Sequence, residues 1–481
     1  MERTTEIDTL SPRTFFEKVW SDHCIADLGD NTHLLQIDRL FLHELSGSVT
    51  IRELQESKRV PNSPKQVFAV IDHVVSTAPG RGPNDGRNAT ASEMIQQTRR
   101  AVNAMGFTFF DVGDPRQGIV HVVSPELGIA LPGLSLVCGD SHTCTVGAIG
   151  ALAWGIGSTE GIHVLATGTL QQVKPKTMRI TFAGALPAGV TAKDLVLSLI
   201  GRIGANGGIG YAVEFAGPVV RAMSIEERLT LCNMAIEFSA KYGFVPPDEK
   251  TFEYLHGREF APKGVAWDHA VEYWRSLPTD AGATFDRELT IDCSTLQPQV
   301  TWGTSPQHVM NIDGTVPAPE DFSDAGARTL VERALEYQRL QPGMSIAGMP
   351  VDVAYIGACT NARLSDLRNA AAILRGRKVA QGVLAICVPG STKVKADAEA
   401  EGLDKVFIEA GFEWHESGCA MCGNGGAQRL QDLRVISTTN RNFEGRQGPR
   451  TRTHLASPAT VAATAVAGVV TDPRRLPPAK G

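Results

Sequence analysis

Short apolar runs that stop at polar clusters recur along the first third of the chain. Val67-Phe68-Ala69-Val70-Ile71 is continuous and largely β-branched, which predicts a buried strand, and it breaks at Asp72-His73. Residues 134–138 repeat the form and break at Gly139-Asp140-Ser141-His142-Thr143. Residues 34–38 alternate as a half-buried strand does, with His43-Glu44 soon after, and residues 118–123 predict a further strand that carries His121. A Gly/Pro/Asn loop over 80–91 and a helix over 92–105 lie between them. Taken singly, each acid or imidazole reads as a cap, a surface group or, for His121, a ring satisfied by backbone. Loops at strand ends commonly hold active residues, so three Asp/His-bearing ends predict one shared cleft.

The rest of the pattern divides the chain into three α/β units, over 1–175, 176–296 and 297–481. A polar stretch at 171–176 precedes a fresh strand and turn over 177–190. The second unit holds a Gly-rich turn at 206–210, a strand over 211–216 and a helix over 225–240, on which Asn233 and Glu237 share a face. Residues 246–284 read as polar and loop-rich with one short helix. The third unit holds strands over 351–356 and 383–388, then a closing Ala/Val-rich helix over 460–470 and a short Pro/Arg tail. Strands alternating with helices predict mostly parallel sheets. Gly155-Ile156-Gly157 fails as a dinucleotide fingerprint, because the spacing to Gly161 is wrong and its flanks read as packed helix rather than a strand-to-helix turn.

Composition narrows the class. With 42% hydrophobic and 20% charged residues in 481, the chain can bury substantial cores. A formal charge of −6 predicts no attraction to nucleic acid or membrane, so any anion site must be local. No secretory signal is visible at the amino terminus and no run reaches membrane-spanning length, which makes the cytoplasm the expected compartment. Nine mostly isolated cysteines fit a reducing compartment better than a disulfide framework.

Three of the nine stand apart, in Gly357-Ala358-Cys359-Thr360-Asn361-Ala362-Arg363 and Ser417-Gly418-Cys419-Ala420-Met421-Cys422-Gly423-Asn424-Gly425-Gly426. A Cys-x-x-Cys pair brings two sulfurs onto one metal-sized centre, and the glycines admit backbone N–H groups close to sulfur. Structural zinc would want a fourth ligand, for which His415 is the candidate nearby. An iron–sulfur cluster accommodates an incomplete set: three thiolates on a [4Fe–4S] cube leave the fourth iron open as a Lewis acid. Beyond the pair, Asn440-Arg441-Asn442-Phe443-Glu444-Gly445-Arg446 offers two arginines as carboxylate clamps.

Taken as one set, Cys359-Thr360-Asn361, Gly418-Cys419-x-x-Cys422, the 138–143 segment and the 440–446 segment resemble the aconitase superfamily. Within it the chain is similar, over essentially its whole length, to the large subunits of bacterial isopropylmalate dehydratases. Leu35-Gln36-Ile37-Asp38-Arg39, Gln117-Gly118-Ile119-Val120-His121, Leu231-Cys232-Asn233-Met234-Ala235-Ile236-Glu237 and Gln299-Val300-Thr301-Trp302-Gly303-Thr304 add to the likeness. The resemblance implies an α/β iron–sulfur core of three units around one cleft, without the superfamily's swivelling domain. By the same resemblance Cys359, Cys419 and Cys422 ligate a [4Fe–4S] cluster. Asp72, His73, His121, Asp140, His142 and Glu237 line the cleft, with Asp72-His73 helping to protonate a departing hydroxyl. Ser141, Asn233, Asn440, Arg441 and Arg446 hold ligand and substrate carboxylate, and His43 stands where aconitases carry a substrate-binding Gln. A separate small subunit is expected to bring the swivelling domain with its catalytic Ser, and the expected substrate is a 2-substituted malate, 2-isopropylmalate first.

The chain departs from the usual isopropylmalate sequence at Gly423-Asn424-Gly425-Gly426, Ala358, Ala362, Val74 and Cys144. These leave open a paralogue acting on methyl-, dimethyl- or benzylmalate. Of the other classes, an electron carrier would need no Asp/His/Arg constellation, and an iron-sensing RNA-binding regulator is disfavoured by the acidic charge.

Overall fold

The computed structural model describes residues 11–423 and 430–477. Residues 424–426 of the divergent segment, the start of the amino-terminal stretch and the last residues of the tail lie outside them. The apolar runs form wholly parallel sheets. In the first, the strand order is Thr108–Phe110, Val67–Val70, Arg39–His43, Ser135–Cys138, Leu152–Gly155. Val67–Val70 and Ser135–Cys138 are buried at every position, which is why they read as continuous rather than alternating runs.

A second parallel sheet orders Tyr242–Phe244, Tyr211–Ala216, Lys176–Ala183 and Arg287–Asp292. A third orders Phe412–Trp414, Leu384–Cys387, Val353–Ile356, Arg434–Ser437 and Arg452–Leu455. One continuous core joins the first two sheets, and another lies around the third. An antiparallel sheet of Cys24–Gly29, Thr32–Gln36 and Thr169–Val173 borders the first. Among the described residues no helix is long and apolar enough to cross a membrane.

The first and third sheets meet through bare backbone. Ile119 N–H donates to Gly390 O and Thr392 N–H to Gln117 O, each at 2.8 Å. Gly118 is required there, since a Cβ would lie 2.5 Å from Ser391 Cα.

Four expectations need correction. His121 lies on the short helix Val120–Glu126, not on a strand. A short apolar run does not separate buried helix from strand, and Asp72 Oδ2 settles the choice by accepting Val120 N–H at 2.9 Å, an anion at a helix N-terminus. Gly155-Ile156-Gly157 does turn from the strand Leu152–Gly155 into the helix Ser158–Thr167. Its glycine serves packing: a Cβ on Gly155 would sit 2.6 Å from Asp140 O. Residues 246–284 hold two helices, Glu249–Leu255 and Val265–Ser276; the second buries only Trp274, so its polar surface hid it. The helix expected over 225–240 is α-helical over Ile225–Asn233 and tightens to a 3-10 turn over Met234–Phe238.

Candidate active site

Every parallel strand that precedes a candidate residue delivers it from its carboxyl end. His43 closes Arg39–His43, Asp72-His73 follow Val67–Val70, and Asp140-Ser141-His142 follow Ser135–Cys138. Cys359 follows Val353–Ile356, and Asn440-Arg441 follow Arg434–Ser437. That edge is where open parallel sheets leave backbone groups unpaired and ligands bind. All fifteen candidates named from the sequence enter one connected network.

One half of that network alternates in charge. His73 Nδ1 meets Asp72 Oδ1 at 2.5 Å, and its Nε2 meets Asp140 Oδ2 at 2.8 Å. Asp140 Oδ1 accepts His142 N–H at 2.7 Å, His142 Nε2 pairs with Glu237 Oε1 at 2.6 Å, and Arg441 Nε reaches the same oxygen at 2.9 Å. Arg441 Nη2 also donates to Ser141 Oγ at 3.0 Å. His121 Nε2 lies 3.0 Å from Asp140 Oδ1, without hydrogen-bond alignment.

Burial opposes every charge here, and pairing overrides it. Burial works against the His73 imidazolium, but Asp72 and Asp140 hold its pKa well above the usual histidine value. His142 is likewise disfavoured by burial yet raised to about 9 by Asp140 and Glu237. Asp140, despite burial, is held well below the carboxylate range by its imidazoles, and Glu237 is lowered by His142 and Arg441.

His43 behaves oppositely. It stacks on His73 with ring centres 4.4 Å apart, and burial followed by the His73 charge lowers it to about 4. Its Nδ1 accepts Leu45 N–H at 3.3 Å, so the ring proton sits on Nε2, which is buried without a partner.

The other half gathers sulfur. Cys359, Cys419 and Cys422 are buried free thiols, and Cys422 is within hydrogen-bonding contact of the other two. The same contacts lower Cys422 well below an ordinary thiol and raise Cys359 and Cys419 well above one, so the three sulfurs titrate as a group. Neutral amides face the sulfurs: Asn233 Nδ2 lies 3.2 Å and Asn440 Nδ2 3.4 Å from Cys359 Sγ, and Asn440 Oδ1 is 3.5 Å from Cys422 Sγ. Arg446 Nη2 lies 3.5 Å from Cys422 Sγ, and its Nε is buried and unpartnered. Both turns are strained, with non-glycine Ala358 at φ 76° and Ala420 at φ 44°. His415 is spent elsewhere, on Glu413 at 2.9 Å and Thr77 at 3.4 Å, so zinc gains no fourth ligand from it. Three converging thiols with amide donors and no disulfide fit an iron–sulfur cluster.

The two halves are laced together. Cys419 N–H donates to Asp72 O at 2.8 Å and Glu416 N–H to Thr77 O at 2.9 Å. Arg81 donates to Ser417 O at 2.6 Å and to Gln117 Oε1 at 2.9 Å, and that oxygen also accepts Ser417 Oγ–H at 2.8 Å. Glu44 brackets His73 by accepting the N–H groups of Asp72 and Val74. Neither Arg81 nor Glu44 was singled out from sequence; the one available signal was the adjacency of Glu44 to His43.

These features define a class, and the chain belongs to it: the model of the aconitase family (aconitate hydratase) matches residues 17–468. The family implies an iron–sulfur cluster. More narrowly, the chain is 54% identical over 465 residues to 3-isopropylmalate dehydratase large subunit 1 of Bradyrhizobium diazoefficiens, covering 96% of this chain and 97% of that one. It is 48% identical over 470 residues to the 3-isopropylmalate dehydratase large subunit of Roseiflexus castenholzii, covering 96% and 99%. The holo-form of Thermococcus kodakaraensis aconitase X is a looser likeness, with a TM-score of 0.45 and 12% identity over 85% of this chain and 84% of that one.

Proposed function

We propose that this chain is the large subunit of a cytoplasmic hydro-lyase of leucine biosynthesis. It interconverts 2-isopropylmalate and 3-isopropylmalate through a bound alkene, with a [4Fe–4S] cluster on Cys359, Cys419 and Cys422. The observation that carries this is the meeting of three thiols and an alternating acid–base chain on one strand-end cleft. The three units of the reading, 1–175, 176–296 and 297–481, are supported by the parallel sheets, whose strands fall within 39–155, 176–292 and 353–455.

Dehydration removes a proton beside a carboxylate and expels hydroxide, a poor leaving group. When bound, the cluster supplies an iron with open positions that acts as a Lewis acid. The protein supplies the protons and the anion contacts. His73 keeps a proton on both ring nitrogens at neutral pH, between Asp72 and Asp140, and is the donor reserve for the departing hydroxyl. Arg441 is anchored to Glu237 and Ser141 but remains partly exposed, so its fork can still grip a carboxylate. His43 Nε2–H and Arg446 Nε are buried donors that a substrate would satisfy. Proton removal from carbon belongs to a Ser on the swivelling domain of a small subunit.

Of the departures from the usual sequence, Val74 and Ala358 directly flank His73 and Cys359, Cys144 and Ala362 lie two and three positions from His142 and Cys359, and residues 424–426 lie outside the described residues. Val74 packs in an apolar cluster with Ile71, Val75, Ala91 and Ile95, and Cys144 Sγ donates to Cys232 O at 3.3 Å. Ala358 and Ala362 are fully buried. The whole-chain likeness to two 3-isopropylmalate dehydratase large subunits favours isopropylmalate over methyl-, dimethyl- or benzylmalate, which a pocket separates by only about 1–3 kcal/mol per methylene. The test is iron and sulfide analysis of the anaerobically purified chain, then steady-state kinetics of its small-subunit complex on all four malates. About four irons and four sulfides per chain are expected, with kcat/KM highest for isopropylmalate. A preference of about tenfold or more for another malate overturns the choice of substrate.

A further inference from the structure

Lys193 stands where two forces oppose a charge on its side chain. The side chain is fully buried, and it stands in the first turn of the helix Ala192–Ile203, at the positive end of the helix dipole. Only specific partners can hold an ammonium there. Its Nζ donates to Thr438 O at 3.0 Å and to Thr439 O at 2.6 Å. These are the first two carbonyls beyond the strand Arg434–Ser437, and the chain runs directly from them into Asn440 and Arg441. Asn440 faces Cys359 and Cys422, whereas Arg441 holds Glu237 and Ser141. The same turn is tied from its other side, where Thr438 Oγ accepts Gly357 N–H and donates to Gly357 O, each at 2.9 Å. Burial pulls the Lys193 pKa down to about 7, against the acidic groups Cys359, Asp366, Glu237 and Cys422, which raise it.

We propose that Lys193 is a positioning residue for the anion-binding end of the site: it fixes the carbonyls of Thr438 and Thr439 and thereby aims Asn440 and Arg441. Nothing else in the first turn of that helix could do this, since Asp194 is turned away to accept the N–H groups of Thr191 and Gln299 at 2.8 Å each. The lysine thus reaches from a helix that packs on Ile225–Asn233 and the strand Gln299–Thr301 into the turn that follows the third sheet's strand Arg434–Ser437.

Lys193→Met keeps the length and removes both charge and donor; Lys193→Gln keeps a donor without the charge. Each is purified anaerobically beside wild type, and three quantities are read: thermal unfolding of the apoprotein, the rate of iron release to a chelator, and kcat and KM separately in the small-subunit complex. For Lys193→Met we expect apoprotein unfolding close to wild type. Iron release should be at least about tenfold faster, and KM at least about tenfold higher with a smaller change in kcat, as misaimed anion contacts dictate. Lys193→Gln, which keeps a donor for the carbonyls, should fall between Lys193→Met and wild type in both iron release and KM. Wild-type iron release and KM in Lys193→Met overturn the proposal, and so does failure of both variants to fold, which would make the lysine purely structural. The iron-release readout rests on the cluster reading above: a wild-type chain lacking iron and sulfide overturns that reading, while the KM comparison still judges the aiming of Arg441.

Discussion

The two halves of the cleft solve burial differently. On the proton side, Asp72, His73, Asp140, His142, Glu237 and Arg441 alternate in sign, so each charge is answered by its neighbour within the chain. On the sulfur side, Cys359 and Cys422 are faced by the amides of Asn233 and Asn440, and among the described residues Arg446 brings a charge into contact. The first half is complete in the protein alone. The second is arranged for something that the protein must acquire. An ion network closed on itself can be rigid before any cofactor arrives, whereas thiols packed together gain their purpose only when deprotonated onto metal.

The sharpest way to break the contrast is to remove one sulfur. Cys419→Ser should abolish iron and sulfide content and lower turnover by about 10³-fold or more, since the Lewis acid goes with it. Normal iron and full activity in that variant would sink the ligand assignment. Next in size, His73→Gln should cost about 10²–10⁴-fold in kcat while iron content stays normal, because only the proton reserve is lost. Loss of iron in that variant would show that the halves are not separable.

A smaller effect separates them by pH. The His142 pKa is raised to about 9 in the fold against 6.5 unfolded, so its pairing stabilises the protein fully below about pH 6.5. That contribution, on the order of 3 kcal/mol at most, is lost as pH rises through 9. The urea midpoint of the apoprotein should therefore fall between pH 6.5 and 9.5, and His142→Asn should flatten the fall; equal slopes in both would refute the linkage. Smallest of all, Cys387→Ala, at a fully buried thiol in the third sheet, should cost about 1 kcal/mol of stability and leave iron content and kcat unchanged.

The parts of this contrast that were legible in sequence are those with a local signature. Strand-end acids and imidazoles follow continuous apolar runs, and the Cys-x-x-Cys pair sits among glycines, so both halves announced themselves. What stayed hidden depends on long-range contact. His121 read as a strand residue because its helix is capped by Asp72 Oδ2, far off in the chain. Asn233 and Glu237 read as one helical face, but the tightening after Asn233 sends one to Cys359 and the other to His142. Glu44 and Arg81 act on backbone groups of distant loops, and a lone Glu or Arg gives no sign of that in sequence.

The bare-backbone contact at Gly118 and Ser391 also bears on how the molecule is made. It joins positions far apart in the chain, and the cleft draws on residues from His43 to Arg446. On the ribosome the first sheet can pair early, because its strands are near neighbours in sequence. The sulfur half cannot, since Cys422 and Arg446 emerge near the end and must close very long loops onto structure already formed. The three thiols are thereby all present only once residue 422 has been made. A nascent chain arrested before residue 446 is expected to take up no stable iron, however much is supplied.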